Sequence, residues 1–322
     1  MAKGIDWQSR IGRRLKLRDL HVFFTVAQSD SMAKAAAHLG ITQPSVSASI
    51  RALEATLKVQ LFDRSPQGVT LTVYGNELHK CGLTVFDDLR QGIKSIEFLS
   101  DPDAGEVRVG SAEAMMAGCV PAIIDRLSQT HPRVVFHTAE GTGHALRNAL
   151  RERRLDLVVA RKPPLPLEDD FLSEILFQDE LHVVVGAGSR WASRRKIKLE
   201  ELLDEPWIIP ISDSVLGGLF RKHFHAAGMR LPRLSVASNS MILRNRLLET
   251  GRYVSILPRS ILHFSGDLPK LKILPVTLPG VSPVTEILTL KNRTLNPAAK
   301  LFIQCARDVA KSITAPKVKH RP

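Results

Sequence analysis

The sequence predicts a multidomain fold: an all-α-rich winged helix-turn-helix at the front, a long linker helix behind it, and a two-lobed α/β domain over the remaining two-thirds. Three observations carry that prediction. Up to residue 100 apolar residues recur at helical spacing almost throughout, interrupted by two short extended runs around Pro66-Gln67-Gly68. The polar stretch Asp101-Pro102-Asp103-Ala104-Gly105 then marks a boundary. Beyond it, β-branched runs at Val107–Val109, Arg133–Phe136, Asp156–Val159 and His182–Val185 alternate with segments of helical period, as in βα units around a sheet.

Length and charge narrow the partners. With 322 residues the chain is about twice the usual single-domain size. Its 44% hydrophobic and 24% charged residues are ordinary for a globular protein, and 5% aromatic content argues against a binder that stacks single-stranded bases. The 45 Lys+Arg against 32 Asp+Glu give +13 and a pI of about 10.0, a field that attracts a polyanion. Residues 1–72 hold ten Lys/Arg against five Asp/Glu, whereas residues 73–100 hold three against four. Residues 311–322 add four cations and no acid, and read as a basic, solvated tail. Cys81, Cys119 and Cys305 lie far apart without a CxxC pair, which fits a reducing cytoplasm better than a disulfide framework. The first twenty residues lack the apolar core of a secretion signal, and no run is long enough to span a bilayer, so a cytoplasmic, nucleoid-associated protein without a membrane partner is expected.

From Leu17 to Gln28, Leu20, Phe23, Phe24 and Ala27 form a helical stripe. Asp30 or Ser31 can cap a second helix through Leu39, with alanines that permit close approach. Gly40 supplies the turn, Ile41 a buried plug, and Thr42 the N-cap of a third helix that tolerates Pro44 in its first turn. Val46, Ile50, Leu53 and Leu57 face its core. Outward lie Gln43, Ser45, Ser47, Ala48 and Arg51, short polar groups with one long cation behind them. Such a face can enter a major groove, where hydroxyls and amides reach base edges while Arg51 and the helix N-terminus meet phosphates. Residues 58–71 follow as a β-wing, with Arg64 placed for a phosphate.

Leu39-Gly40-Ile41-Thr42-Gln43-Pro44-Ser45-Val46-Ser47, then Ile50-Arg51-Ala52-Leu53-Glu54, Val59-Gln60-Leu61-Phe62-Asp63-Arg64, Leu71-Thr72 and Gly75 resemble, in order and without a gap, the N-terminal signature of LysR-type transcriptional regulators. The resemblance implies an effector-responsive regulator that binds promoter DNA as a homo-oligomer, dimer or tetramer, with RNA polymerase as a further partner. It places Thr42, Gln43, Pro44, Ser45, Ser47, Arg51 and Arg64 at the DNA. Where the family usually carries a long polar or basic pair after the serine, this chain has Ala48 and Ser49, which lack that reach.

Thr72 can cap a helix over residues 73–100 in which Leu78, Cys81, Val85, Leu89, Ile93, Ile96 and Leu99 recur at three or four. So long a stripe reads as a dimerising seam, and Cys81 within it as an inert core thiol. Residues 101–105 are expected to be a hinge. Residues 106–310 begin βαβαβ, with strand ends at Ser111, Thr142 and Arg161, and a second unit ends its strands at Ser212, Ser214, Asn239 and Ser240. Strand C-termini of open α/β sheets bind ligands, so these residues are the candidates for a small polar or anionic effector held between the lobes. Thr142 and Ser214 read equally as helix caps, and Arg161 as a ligand anchor or a solvated loop charge. The arrangement is similar to the family's periplasmic-binding-protein-like effector domain, Gly251–Pro258 resembles its late Gly-to-Pro stretch, and the chain looks like regulators tied to sugar uptake.

Enzyme motifs do not appear. His223-Phe224-His225 puts imidazoles at i and i+2, off a shared helix face, and Gly141-Thr142-Gly143 lacks the third glycine of a dinucleotide loop. No cofactor and no metal are expected. The alternative, a cytoplasmic solute-binding module or an enzyme with an N-terminal helical domain, leaves residues 17–72 and the basic excess unexplained.

Overall fold

The computed structural model describes residues 14–65, 68–164, 166–264, 270–278 and 282–314. They form two compact units, one reaching Arg90 and one starting at Gln91. Pro66-Gln67 of the expected wing turn and residues 315–322 of the expected tail lie outside the described residues.

The first unit holds helices α1 (Leu17–Ser29), α2 (Met32–Leu39) and α3 (Gln43–Leu57), and an antiparallel pair, β1 (Phe62–Ser65) with β2 (Gly68–Leu71). Asp30 ends α1 in the left-handed conformation, and Ser31 caps α2 by accepting from Lys34 N at 3.4 Å. Gly40, at φ 64°, closes α2 where a side chain would be strained. Thr42 caps α3 by accepting from Ser45 N. Phe23, Val26, Ala35, Val46, Ile50 and Leu61 are fully buried. Ile41 is half-buried and packs on the rim of that core instead of plugging it, because its N–H is held at the turn by Ala36 O at 3.1 Å. Glu54 on α3 accepts Leu61 N at 2.9 Å, which fixes where the wing begins.

Helix α4 (Val73–Ser100) starts where Thr72 Oγ1 accepts Gly75 N at 3.0 Å. It has two apolar faces, not the single predicted stripe. Leu78, Leu83 and Phe86 pack against the first unit's core, and a Cβ on Gly82 would lie 2.1 Å from the Phe24 ring. Val85, Leu89, Ile93, Ile96 and Leu99 are exposed, and Cys81 is exposed beside them, not a core thiol, because Leu78 and Gly82 turn the core-facing side the other way.

The second unit has two lobes. In lobe 1 the strand order is β4-β3-β5-β12-β6, from β3 (Ala104–Ser111), β4 (Arg133–Glu140), β5 (Leu157–Arg161), β6 (Phe171–Gln178) and β12 (Val284–Leu290). β3 runs parallel to β4 and β5, and β12 is antiparallel to β5 and β6. Helices α5 (Glu113–Met116), α6 (Cys119–Thr130) and α11 (Pro297–Thr314) contribute to one core, with Val107, Val109, Ile123, Leu127 and Phe302 buried there. Helix α7 (Gly143–Arg151) packs Leu146 and Leu150 with Val158 and Leu288 in another. Lobe 2 has the order β11-β7-β10-β8-β9, from β7 (Leu181–Gly186), β8 (Trp207–Ile209), β9 (Leu234–Ala237), β10 (Val254–Pro258) and β11 (Leu271–Ile273). Helices α8 (Val215–Ala226), α9 (Met241–Glu249) and α10 (Arg259–Phe264) complete it, with Trp207, Phe220 and Phe224 at its centre. The chain crosses into lobe 2 after β6 and returns after β11.

Two predicted boundaries shift. Ala104 and Gly105, inside the expected hinge, pair with Arg133 and Val134 in β3, which leaves Asp101–Asp103 ahead of the strand, where Arg133 Nη2 donates to Asp101 at 2.5 Å. The tail does not begin at Lys311, because buried Ile313 and the 2.8 Å Lys311–Asp308 pair extend α11 to Thr314.

Candidate nucleic-acid surface and ligand cleft

In the first unit Gln43, Ser47 and Arg51 follow one another at helical steps of four along α3. Thr42, Gln43, Pro44, Ser45, Ala48 and Arg51 are exposed and Ser47 is half-buried. The Thr42 and Ser45 hydroxyls are 2.8 Å apart at the helix mouth, and Arg51 Nε donates to Ser47 O at 3.3 Å. Arg64 is exposed on β1, opposite Val69. Neither arginine has an ion pair among the described residues, so both cations are open to an external anion. The first turn of α3 adds the positive end of a helix dipole to the same unit.

In the second unit three hydroxyls cap helices. Thr142 accepts Ala145 N at 3.4 Å at the start of α7, Ser214 accepts Gly217 N at 3.1 Å at α8, and Ser240 accepts Leu243 N at 3.4 Å at α9. Ser212 is exposed and donates to Asp213 Oδ1 at 2.8 Å, while Asn239 Oδ1 accepts Ile211 N at 3.2 Å. Ser111 differs from the others: it is fully buried, and its hydroxyl donates to Val159 O at 2.6 Å, which ties β3 to β5 and leaves only its lone pairs. A cavity of about 270 Å³ lies elsewhere, between β4 and α7, with Arg108, His137 and Leu146 in its wall and none of the predicted effector residues.

Arg161 is no solvated loop charge. Its side chain is 7% exposed, Nη2 lies 3.6 Å from buried Asp179, and Nε has no acceptor among the described residues. Burial pulls its pKa down, against the attraction of Asp179. Burial likewise pushes the Asp179 carboxyl up, opposed by Arg161 and by Ser260, whose N–H and hydroxyl donate to it at 2.8 and 2.6 Å. Arg244 on α9 is buried nearby with its pKa lowered to about 10, chiefly by burial and then by Arg161; its Nη2 donates to Ser255 Oγ and Ile256 O. Burial raises the Cys119 thiol to about 12, which makes it a poor nucleophile.

The family description "LysR substrate binding domain" matches residues 100–311, and "Bacterial regulatory helix-turn-helix protein, lysR family" matches residues 17–76. The chain belongs to the LysR family of transcriptional regulators. Similar to this regulator is the uncharacterized HTH-type transcriptional regulator YybE of Bacillus subtilis, 29% identical over 90% of this chain and 97% of that one. A full-length OxyR from Pseudomonas aeruginosa superposes with a TM-score of 0.63 at 23% identity, covering 92% of this chain and 98% of that one. Full-length CbnR complexed with its target DNA gives 0.61 at 20% identity, over 92% and 100%. The regulator is thus a transcription factor with a DNA-binding helix-turn-helix and an effector-binding domain, and its relatives are regulators, not enzymes. Among the described residues no group of His, Cys, Asp and Glu is arranged to hold a metal, and no helix is long and apolar enough to cross a membrane.

Sequence reasoning missed two groups that join the regulator's lobes and one buried within lobe 2. Glu113 on α5 accepts Met241 N at 2.7 Å, placing a carboxylate at the start of α9. Asp179 reaches Ser260 across 81 residues, and Arg244 reaches Ser255 inside lobe 2. Asp179 and Glu113 carry no spacing signal. Arg244 carried a usable one: it stands at i+3 from Met241 and i−4 from Leu248, on a buried helix face.

Proposed function

We propose that this regulator binds promoter duplex DNA as a homo-oligomer, seating the N-terminal end of α3 in the major groove with the wing on the backbone. A small polar or anionic metabolite between the lobes then shifts its DNA binding. The observation that carries the DNA reading is the α3 face itself. Gln43, Ser45 and Ser47 are short enough to approach base edges, while Thr42 and Pro44 shape the helix mouth. Arg51 and Arg64, exposed and without carboxylate partners among the described residues, serve phosphates. The exposed stripe from Val85 to Leu99 is the seam that pairs two copies, since a row of apolar groups that long is otherwise left in water.

For the effector, the buried Nε of Arg161, without an acceptor among the described residues, favours an anionic or strongly accepting group. The hydroxyls at Thr142, Ser212, Ser214 and Ser240, with Asn239, suit sugar oxygens or a carboxylate, and Ser111 offers only an acceptor. Sugars and small organic acids are therefore the classes to try. The same reading places the protein in the cytoplasm on the nucleoid, with RNA polymerase as its downstream partner.

Operator titrations over a salt series test the DNA contacts. Arg51→Ala and Arg64→Ala should each weaken binding to all duplexes alike and flatten the salt dependence by about 0.9. Gln43→Ala should relax preference at one base pair by about 1–3 kcal/mol. Unchanged slopes for both arginines defeat the assignment.

A further inference from the structure

Lobe 1 carries a cavity that the effector reading does not use. Strand alternation decides what faces it. Val107 and Val109 of β3 and Val134 of β4 enter the core shared with α6 and α11, so Arg108 and Gly110, with Val135, His137 and Ala139, face the other side of the sheet. Helix α7 lays Leu146 and Leu150 against Val158 and Leu288, the β5–β12 half of that side. The β3–β4 half is left as the wall of the cavity of about 270 Å³.

Its floor is apolar and its rim is basic. Leu146, Ala149 and Leu155, all buried, form the floor. The strand register sets Arg108 directly beside His137, and Arg154 stands in the same wall, against one acid, Glu140. Arg108 Nη2 lies 3.8 Å from Glu106 Oε2, a carboxylate that Lys94 Nζ holds more closely at 3.1 Å. Neither the Arg108 guanidinium nor the His137 ring makes a hydrogen bond among the described residues, so a fork of N–H donors and a ring nitrogen converge there without a protein partner.

We propose that this cavity is a second ligand site, separate from the interlobe cleft, for a small carboxylate with an apolar body. Arg108 and His137 take the carboxylate, and Leu146 and Leu155 take the body. A guanidinium fork matches a carboxylate with two parallel N–H···O bonds. Ligand pockets usually span roughly 300–1,000 Å³, so this one admits only a small molecule. The apolar floor leaves sugar hydroxyls without partners, and Glu140 repels the second charge of a phosphate.

Calorimetry on the full chain tests this with isovalerate and benzoate, each against its uncharged amide, and with inorganic phosphate. Both carboxylates should bind, and the amides and phosphate at least tenfold more weakly. Arg108→Gln removes the fork, and Ala139→Leu, at an exposed strand position, fills the cavity. Each should weaken one site per chain at least tenfold and unfold thermally like the parent. Asn239→Ala, in lobe 2, should keep that site. Carboxylates that do not bind at millimolar concentration, or that bind both cavity variants as tightly as the parent, overturn the proposal. So does a sole site that Asn239→Ala destroys. Phosphate bound more tightly than either carboxylate overturns the ligand class.

Discussion

Asp156 and Arg293 stand 137 residues apart in the chain and 3.0 Å apart in the fold, with side chains 2% and 1% exposed. Asp156 also accepts Arg108 N at 2.9 Å, so one carboxylate joins β3, β5 and the approach to α11. Asp156→Ala removes this carboxylate from the buried guanidinium, at about 3–5 kcal/mol in urea unfolding, and pairing it with Arg293→Met should recover part of that loss. Nothing near either residue announces the pair, because a contact over that separation leaves no periodic trace. His223 was legible only as half of an unworkable metal pair. It is buried on α8, and burial lowers its pKa, as burial chiefly does for His182 on β7. A depressed imidazole binds its proton more weakly in the folded than in the unfolded chain, so the stabilisation is complete above about pH 6.5 and is lost as pH falls through the folded pKa. The unfolding midpoint should drop between about pH 7.5 and 5, and His223→Leu should remove part of the drop, with His182 supplying the rest. A midpoint flat across that range contradicts the assignment.

At the scale of the element, α4 shows what local pattern can and cannot specify. Its bounds, Val73–Ser100, match the predicted helix because the Thr72 cap and the apolar period are local signals. Which apolar residues serve which face depends on the partner surface. Gly82, a gap in the pattern, is where Phe24 enters, and Leu78 belongs to the core instead of the outer stripe. Val85 and Leu89 are 37% and 46% exposed, so a carboxylate at either site stays hydrated in an isolated chain. Val85→Asp or Leu89→Asp should therefore fold normally yet sediment as a monomer and lose affinity for a two-half-site operator. A variant that remains dimeric places the seam elsewhere.

Across the whole molecule, the reading in sequence order found β3, β4 and β5 and the start of lobe 2, then missed that the chain returns. β12 enters lobe 1 antiparallel, between β5 and β6, and α11 lines the core beneath with Ala298, Ala299, Phe302, Ala306, Val309 and Ile313. Alternating βα patterns describe parallel neighbours, and a strand arriving from over a hundred residues away is invisible to them. The lobes are joined where Asp179 binds Ser260 and lies 3.6 Å from Arg161. Arg161→Ala leaves a buried carboxylate without its counter-charge and should lower stability by about 3–5 kcal/mol, alongside any loss of effector. Thr142→Val, at an exposed cap, should cost at most about 2 kcal/mol while removing a ligand donor. Calorimetry with candidate sugars and organic acids, paired with unfolding curves, separates the two roles. If Arg161→Ala unfolds like the parent, the pair does not hold the lobes.

The place of β12 also sets a timetable for synthesis. The helix-turn-helix is complete once its residues leave the ribosome, but β5 and β6 then wait for the strand that belongs between them. At about 5–20 residues per second, roughly 5 to 20 seconds pass between the making of β6 and of β12. Throughout that interval β5 keeps an unpaired edge and β6 has no ladder partner at all, so a strand from another nascent chain can pair with either. Premature termination before Val284 leaves the β5 edge and β6 unpartnered for good, on a polypeptide whose DNA-reading end is already finished.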